Sequence, residues 1–196
     1  MSKPTREKGK ASKARLLRLA ASEFSEKGYH DVKISDIVAA AGLTQPAFYL
    51  YFSSKEAIFI ELTQMFHNRL KTLIENSLLD SGIEKENVFE QIKTNLKLFF
   101  EFLATEPDLT RIGLFVDPNR AQVKSEMVLM IQSNLVKEQQ AGYFRNDLDM
   151  EFVADCLVSM IERLTDTRLL PGLSNAERLA TQVVDLLFHG MVEDSR

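Results

Sequence analysis

The chain has one cysteine, Cys156, among its 196 residues, three histidines, and no apolar run approaching the roughly 18–20 residues that a bilayer crossing requires. A lone thiol excludes a disulfide framework and a thiolate metal cluster, and the expected role of Cys156 is that of a buried structural side chain. His30, His67 and His189 stand too far apart to match a metal-ligand spacing, and neither a phosphate-binding loop nor a nucleophile motif occurs. No catalytic residue, metal site or cofactor is therefore expected. The start, MSKPTREKGKASKAR, is basic but lacks the apolar stretch of a signal peptide, so a cytoplasmic protein with no membrane partner is expected. Also missing are internal repeats, low-complexity tracts and any sustained alternation of β-branched residues between turn signals. The fold class left is all-α, with about nine helices.

Charge is unevenly spread. Residues 1–55 carry ten basic and five acidic side chains, a balance of +5, so the net charge of -4 leaves the remainder at -9. A basic amino-terminal quarter on an acidic body is what a chain needs if one end meets a polyanion and the other does not; a solvated basic tail would look the same. Residues 1–11 read as a polar, basic, flexible arm. From Ser12, Leu16, Leu17, Ala20, Ala21 and Phe24 recur at helical spacing until Gly28 stops the run.

The next stretch is ISDIVAAAGLTQPAFYLYFSSKE, from Ile34 to Glu56. Ile34, Ile37, Val38 and Ala41 form the buried stripe of a short helix that Gly42 can end in the left-handed conformation. Thr44 begins another, with Pro46 in its first turn, where a missing N–H leaves no bond unmade. Two short helices joined in this way have the proportions of a helix-turn-helix, whose second member lies in the major groove of DNA. Phe48 and Phe52, four apart, form the expected core pair, leaving Gln45, Pro46 and Tyr49 facing outward beside Thr44. Such a Gln can read adenine, a Pro ring or Thr methyl can meet a thymine methyl, and a Tyr hydroxyl can bond phosphate. Lys55 adds charge at the head of a long helix, over about residues 53–79, that opens on the capping box SSKE.

The run from Phe24 through GYHDVKISDIVAAAGLTQPAFYLYFSSKEAIF resembles the amino-terminal signature of the TetR family of bacterial transcriptional regulators, through Gly28, Ile37, Ala41, Gly42, Tyr49, Phe52, Lys55 and Glu56. Further on, AGYFRNDLDMEFVADCL resembles the start of that family's penultimate helix. The resemblance implies a DNA-binding domain over residues 1–55 and a helical effector-binding and dimerisation domain over 56–196. It places Thr44, Gln45, Pro46, Tyr49, Tyr51 and Lys55 on DNA, with Tyr49, Tyr51 and Lys55 mainly on phosphates. Where the family commonly has Thr-Thr, this chain has Val32-Lys33, and Lys33 substitutes an ionic contact for a hydroxyl. Pro46 stands where many relatives have Gly.

The last two helices, over about 149–169 and 174–189, the second opening on a capping box from Ser174 to Glu177, carry the stripes Val153, Leu157, Met160, Ile161 and Leu164, and Leu179, Val183, Leu186 and Leu187. Such stripes ordinarily serve a chain's own core; the resemblance implies a homodimer paired through them. In the middle helices, Asn95 runs beside the stripe that includes Phe99 and Phe102, and Met127 and Met130 lead into Asn134. A polar amide beside an apolar stripe must find a partner, either a neighbouring helix or a ligand. With Phe66 on the long helix and Arg111 available to an anionic head group, these residues describe an adaptable pocket for a small apolar effector. The expected function is that of a repressor released from a palindromic double-stranded operator by such an effector. The alternative is a DNA-binding or adaptor protein of the same fold with no effector.

Overall fold

The computed structural model describes residues 3–191, with side chains from residue 9. Met1, Ser2, residues 192–196, and the side chains of Lys3, Arg6 and Lys8 in the expected arm lie outside the described residues. Among the described residues there are helices and no strand: α1 (Lys3–Asp31), α2 (Ile34–Ala41), α3 (Gln45–Tyr49), α4 (Lys55–Glu75), α5 (Lys85–Thr105), α6 (Pro107–Arg111), α7 (Arg120–Gln140), α8 (Met150–Leu164) and α9 (Ala176–His189). Five-residue π-helical turns, Ile112–Val116 and Thr165–Leu169, continue α6 and α8. None of the described helices is long and apolar enough to cross a membrane.

The expected arm is helical from Lys3 onward. Its Lys, Arg, Glu and Ala residues favour helix, and Pro4 falls in the first turn, where it is tolerated. Gly28, with φ 78° and ψ 164°, interrupts α1 where the sequence puts the end of that helix. Two helix starts differ from expectation by one residue. The hydroxyl of Ser54, not Ser53, accepts from the Ala57 amide at 3.1 Å, and Asn175, not Ser174, caps α9 by accepting from Arg178 N–H at 2.9 Å. In each case neighbouring residues both offer a capping oxygen, and packing of the helix selects between them. Cys156 is half-buried rather than buried.

By packing, the chain forms two compact units. Unit one comprises residues up to Asn68 together with Asp108–Arg120, so it takes in the first part of α4 and the α6 segment as well as the three helices of the expected 1–55 domain. Its core is built on Leu16, Phe24, Ile37, Phe48, Ile58 and Phe66, all fully enclosed. The Ser25 hydroxyl donates to Asp108 Oδ1 at 2.7 Å, tying α1 to α6. Beside them the backbone at Gly113 lies so close to the Phe66 ring that a Cβ there would stand 2.1 Å from Phe66 Cδ1.

Unit two comprises Arg69–Pro107 and the chain from Ala121 onward. Here α5 packs along α9, burying Phe100, Leu103, Leu179, Ala180 and Val184, and the Lys97 ammonium reaches Glu177 at 2.7 Å. The segment after α4 is held by side chains. Asn134 donates to Ile74 O at 2.8 Å, Asn95 to Ser77 O at 2.8 Å, the Leu79 N–H to Glu138 Oε1 at 3.0 Å, and the Gly82 N–H to the Tyr143 hydroxyl at 3.1 Å. Two of these bonds go to carbonyls at and just after the last turn of α4, and the other two pair amides of the loop that follows it.

Two outcomes follow from this packing. Gly113→Ala is expected to lower stability by about 1–3 kcal/mol, because the enclosed Phe66 ring has nowhere to move; denaturant titration reads the loss, and an unchanged midpoint would contradict the close approach. Glu138 is 6 % exposed, and burial raises its pKa above the ordinary carboxylate value, with the Leu79 amide opposing the shift. The folded state therefore binds its proton more tightly than the unfolded chain, so stability falls as pH rises through the carboxylate range up to the raised value. Glu138→Gln keeps an acceptor for Leu79 and removes the charge. The variant should match the parent in acid and exceed it at pH 7 by a few degrees in Tm, with a flatter stability profile against pH.

Candidate nucleic-acid interface

The turn between α2 and α3 is decided by Gly42. Its φ of 61° and ψ of 34° place it in the left-handed region, and the Gly42 N–H donates to Ala39 O at 3.1 Å while the Leu43 N–H donates to Val38 O at 2.9 Å. These two bonds make a Schellman motif, which ends α2 and satisfies its last carbonyls. At the other end of α2 the Asp36 carboxylate accepts from the Lys33 amide at 3.1 Å. Thr44 then occupies the position before α3 with extended backbone, accepts the Phe48 amide on its carbonyl at 3.2 Å, and makes no side-chain capping bond.

On α3, Phe48 is fully enclosed and pairs with Phe52 at 5.7 Å between ring centroids. The opposite edge is open. Thr44, Gln45 and Pro46 are exposed, Tyr49 is 55 % exposed, and Lys33 is exposed at the start of α2. Tyr51 is half-buried, its hydroxyl 3.9 Å from where a Cβ on Gly9 would stand, so it lies toward α1. Lys55 points inward: its ammonium donates to Tyr29 O at 2.8 Å, Val32 O at 2.8 Å and His30 O at 3.3 Å. Sequence reasoning passed over two residues at this edge. Leu50 is 79 % exposed immediately after α3, and the Arg15 guanidinium lies 3.5 Å from the position a Cβ on Gly42 would take. An apolar residue between two tyrosines carried a signal for Leu50; nothing in the local sequence linked Arg15 to a turn 27 residues away.

Residues 16–62 match the family described as bacterial regulatory proteins, tetR family. The HTH-type transcriptional regulator YdgC of Bacillus subtilis (strain 168) is 49% identical over 185 residues, covering 94% of this chain and 95% of that protein. The chain belongs to the TetR family. As a TetR-family protein it is a DNA-binding transcriptional regulator, and regulators of this family usually dimerise. The HTH-type transcriptional repressor DhaR of Mycobacterium sp. (strain GP1) is 27% identical over 152 residues, 74% of this chain and 75% of that one. Among solved structures, the TetR family transcriptional regulator PfmR of Thermus thermophilus shares the fold with a TM-score of 0.74 at 23% identity, covering 91% of this chain and 100% of that chain.

The residues expected at an effector site are distributed over the TetR-family fold as follows. Phe66, in unit one, is fully enclosed against Gly113, and Arg111, also in unit one, is exposed. In unit two, Phe99 and Met127 are buried, Phe102 and Met130 are half-buried, and the amides of Asn95 and Asn134 are committed to the Ser77 and Ile74 carbonyls. A groove of about 350 Å³ in unit two runs between α7 and α8, lined by Lys124, Val128, Leu129, Asp155, Val158 and Ser159 among others. None of the eight expected residues lines it. Of the expected dimer stripes, Ile161, Leu179 and Val183 are buried within the chain, Val153, Leu157, Met160 and Leu164 are half-buried, and Leu186 and Leu187 are exposed together with Phe188 and Met191.

The exposure of Gln45 and Tyr49 generates contrasting expectations. Tyr49→Phe should weaken binding to every duplex alike, about threefold to tenfold, through loss of one neutral hydrogen bond to phosphate. Gln45→Ala should relax preference at particular base pairs, by about 1–3 kcal/mol of discrimination. Binding titrations on a panel of single-base variants separate the two, and unchanged base preference in Gln45→Ala would remove direct readout by that side chain.

Proposed function

We propose that the protein is a homodimeric repressor that binds a palindromic operator and is released from it by a small apolar effector. The carrying observation is the two-sided character of α3: Phe48 is enclosed on one side, while Thr44, Gln45, Pro46 and Tyr49 are open to solvent on the other. Lys33 adds an exposed cation beside that edge. A protein that had no use for α3 beyond its own packing would gain nothing by presenting this polar and aromatic edge. Two such modules on one symmetric site bind far more tightly than one, because the second contact is intramolecular. The exposed Leu186 and Leu187 and the half-buried stripe of α8 are the surfaces proposed to pair the subunits. Repression is the sign carried by the name of DhaR, a relative over three quarters of its own length.

Helix α4 begins beside the DNA-facing helices and ends in unit two, which makes it the proposed lever. An effector that prefers one tilt of α4 would alter the separation of the two α3 helices. Weakening DNA binding tenfold to a hundredfold needs only about 1.4–2.8 kcal/mol of differential affinity between the two states. Within unit two, the proposed effector contacts are Phe99, Phe102, Met127 and Met130, of which Phe102 and Met130 are half-buried.

A second reading, the same fold with no effector, is favoured by one observation: the Asn95 and Asn134 amides, the polar groups a ligand would need in an apolar pocket, are bonded to backbone carbonyls. Selection of bound sequences from a random duplex pool tests the first reading at its base. A palindrome with half-sites about one helical turn apart is expected, and absence of any preferred sequence would sink it. Titration of the selected complex with apolar compounds then separates the two readings, release by one compound class supporting the effector and retention against all of them supporting its absence.

A further inference from the structure

We propose that Leu50 is a specificity-determining residue whose side chain meets the C5-methyl group of a thymine in the major groove of the operator. The proposal rests on the reading that the open edge of α3 enters duplex DNA. Leu50 is 79 % exposed, and among the described residues only Met191 is a more exposed large apolar side chain. A single leucine at a protein surface is ordinary in itself. Its place is not. Leu50 follows α3 with φ -71° and ψ -21°, so it carries the helical period of α3 one residue further.

Successive residues of an α-helix are turned by about 100° from one another. Phe48, fully enclosed, marks the inward direction. Pro46 and Leu50 stand two residues before and after it, which turns each to about 160° from Phe48, on either side of the line that points straight out. Being four apart, they lie side by side on one ridge. Tyr49, about 100° from Phe48, and Gln45, about 60° from it, stand on one flank of that ridge. The second helix of a helix-turn-helix lies in the major groove, and the ridge opposite its buried face reaches furthest toward the bases. Here that ridge is apolar. Neither side chain on it carries a charge or a hydrogen-bonding group, so neither can bind a phosphate or the polar edge of a base. Tyr49 beside them offers a hydroxyl for a phosphate and Gln45 an amide for a base edge; Leu50 has only hydrocarbon to present. The hydrocarbon group that base pairs expose in the major groove is the methyl of thymine, the other base edges there being marked by donors and acceptors. Of the two ridge residues, Leu50 carries the longer and freer side chain.

The test uses the full-length protein and a duplex it has selected from a random pool. Each thymine of that duplex is replaced in turn by deoxyuridine, which pairs alike but lacks the C5-methyl. The parent should bind about fourfold more weakly when one particular thymine of a half-site loses its methyl, the effect of about one buried carbon. Leu50→Ala shortens the side chain, and Leu50→Gln keeps its length but ends it in an amide. Both should bind the thymine and uracil forms of that position alike, while differences at other thymines and the slope of log affinity against log salt stay as in the parent. Because Leu50 is exposed, both should melt with the parent. Retention of the parent's full thymine–uracil difference at every position by either variant overturns the proposal. So does an equal loss of affinity for every duplex, as a contact with deoxyribose or a disturbed fold would give. A selected duplex without thymine in its half-sites, or a parent indifferent to every methyl, overturns it too and leaves the DNA reading of α3 standing. A parent that prefers no duplex at all sinks that reading itself, before any variant is made.

Discussion

The enclosure of Phe48 beneath a five-residue helix is the constraint on which the DNA-facing part of this protein depends. A helix of that length has no stability of its own, since nucleation alone outweighs the few hydrogen bonds it makes. It persists because Phe48 and Phe52 are set into the core of unit one and because the left-handed Gly42 delivers the chain at an angle that sends Phe48 inward. With Phe48 enclosed, Gln45 and Tyr49 stand exposed on the rest of the short helix. The same burial that stabilises the module therefore aims it.

Cations in this chain are divided between two tasks, and charge counting does not distinguish them. Lys13 reaches Glu61 at 2.8 Å and lies over the Phe52 ring, Lys27 reaches Glu23, and Lys55 is enclosed by carbonyls. Arg15 and Lys33 are exposed. A basic amino-terminal quarter is thus partly an electrostatic face and partly internal bracing. The polar side chains of unit two divide similarly. Asn95, Asn134, Glu138 and Tyr143 together bond backbone groups of the end of α4 and of the loop after it, a task invisible in a sequence that shows only amides and a carboxylate next to apolar stripes.

The helices, the turn at Gly42, the break at Gly28 and the inward Phe48–Phe52 pair were legible in advance because each rests on interactions within a few residues: apolar period, a left-handed glycine, a proline confined to a first turn. The helix starts at Ser54 and Asn175 were missed by one residue, since adjacent capping residues compete and the choice is made by packing. Leu50, 79 % exposed between two tyrosines whose roles were read, was passed over although its place beside them carried the signal.

The sequence by itself determined that this chain is helical, that its amino-terminal helices form a helix-turn-helix of the TetR kind, and which edge of the second member is polar, all matters of local period and backbone conformation. Only the tertiary structure decided what Lys55, Asn95 and Asn134 bond to, that Phe66 is locked against a glycine 47 positions later, and how the stripes of α8 and α9 divide between core and surface. Each of these depends on which carbonyl or ring lies opposite a side chain, and that partner comes from a distant part of the chain brought near by folding.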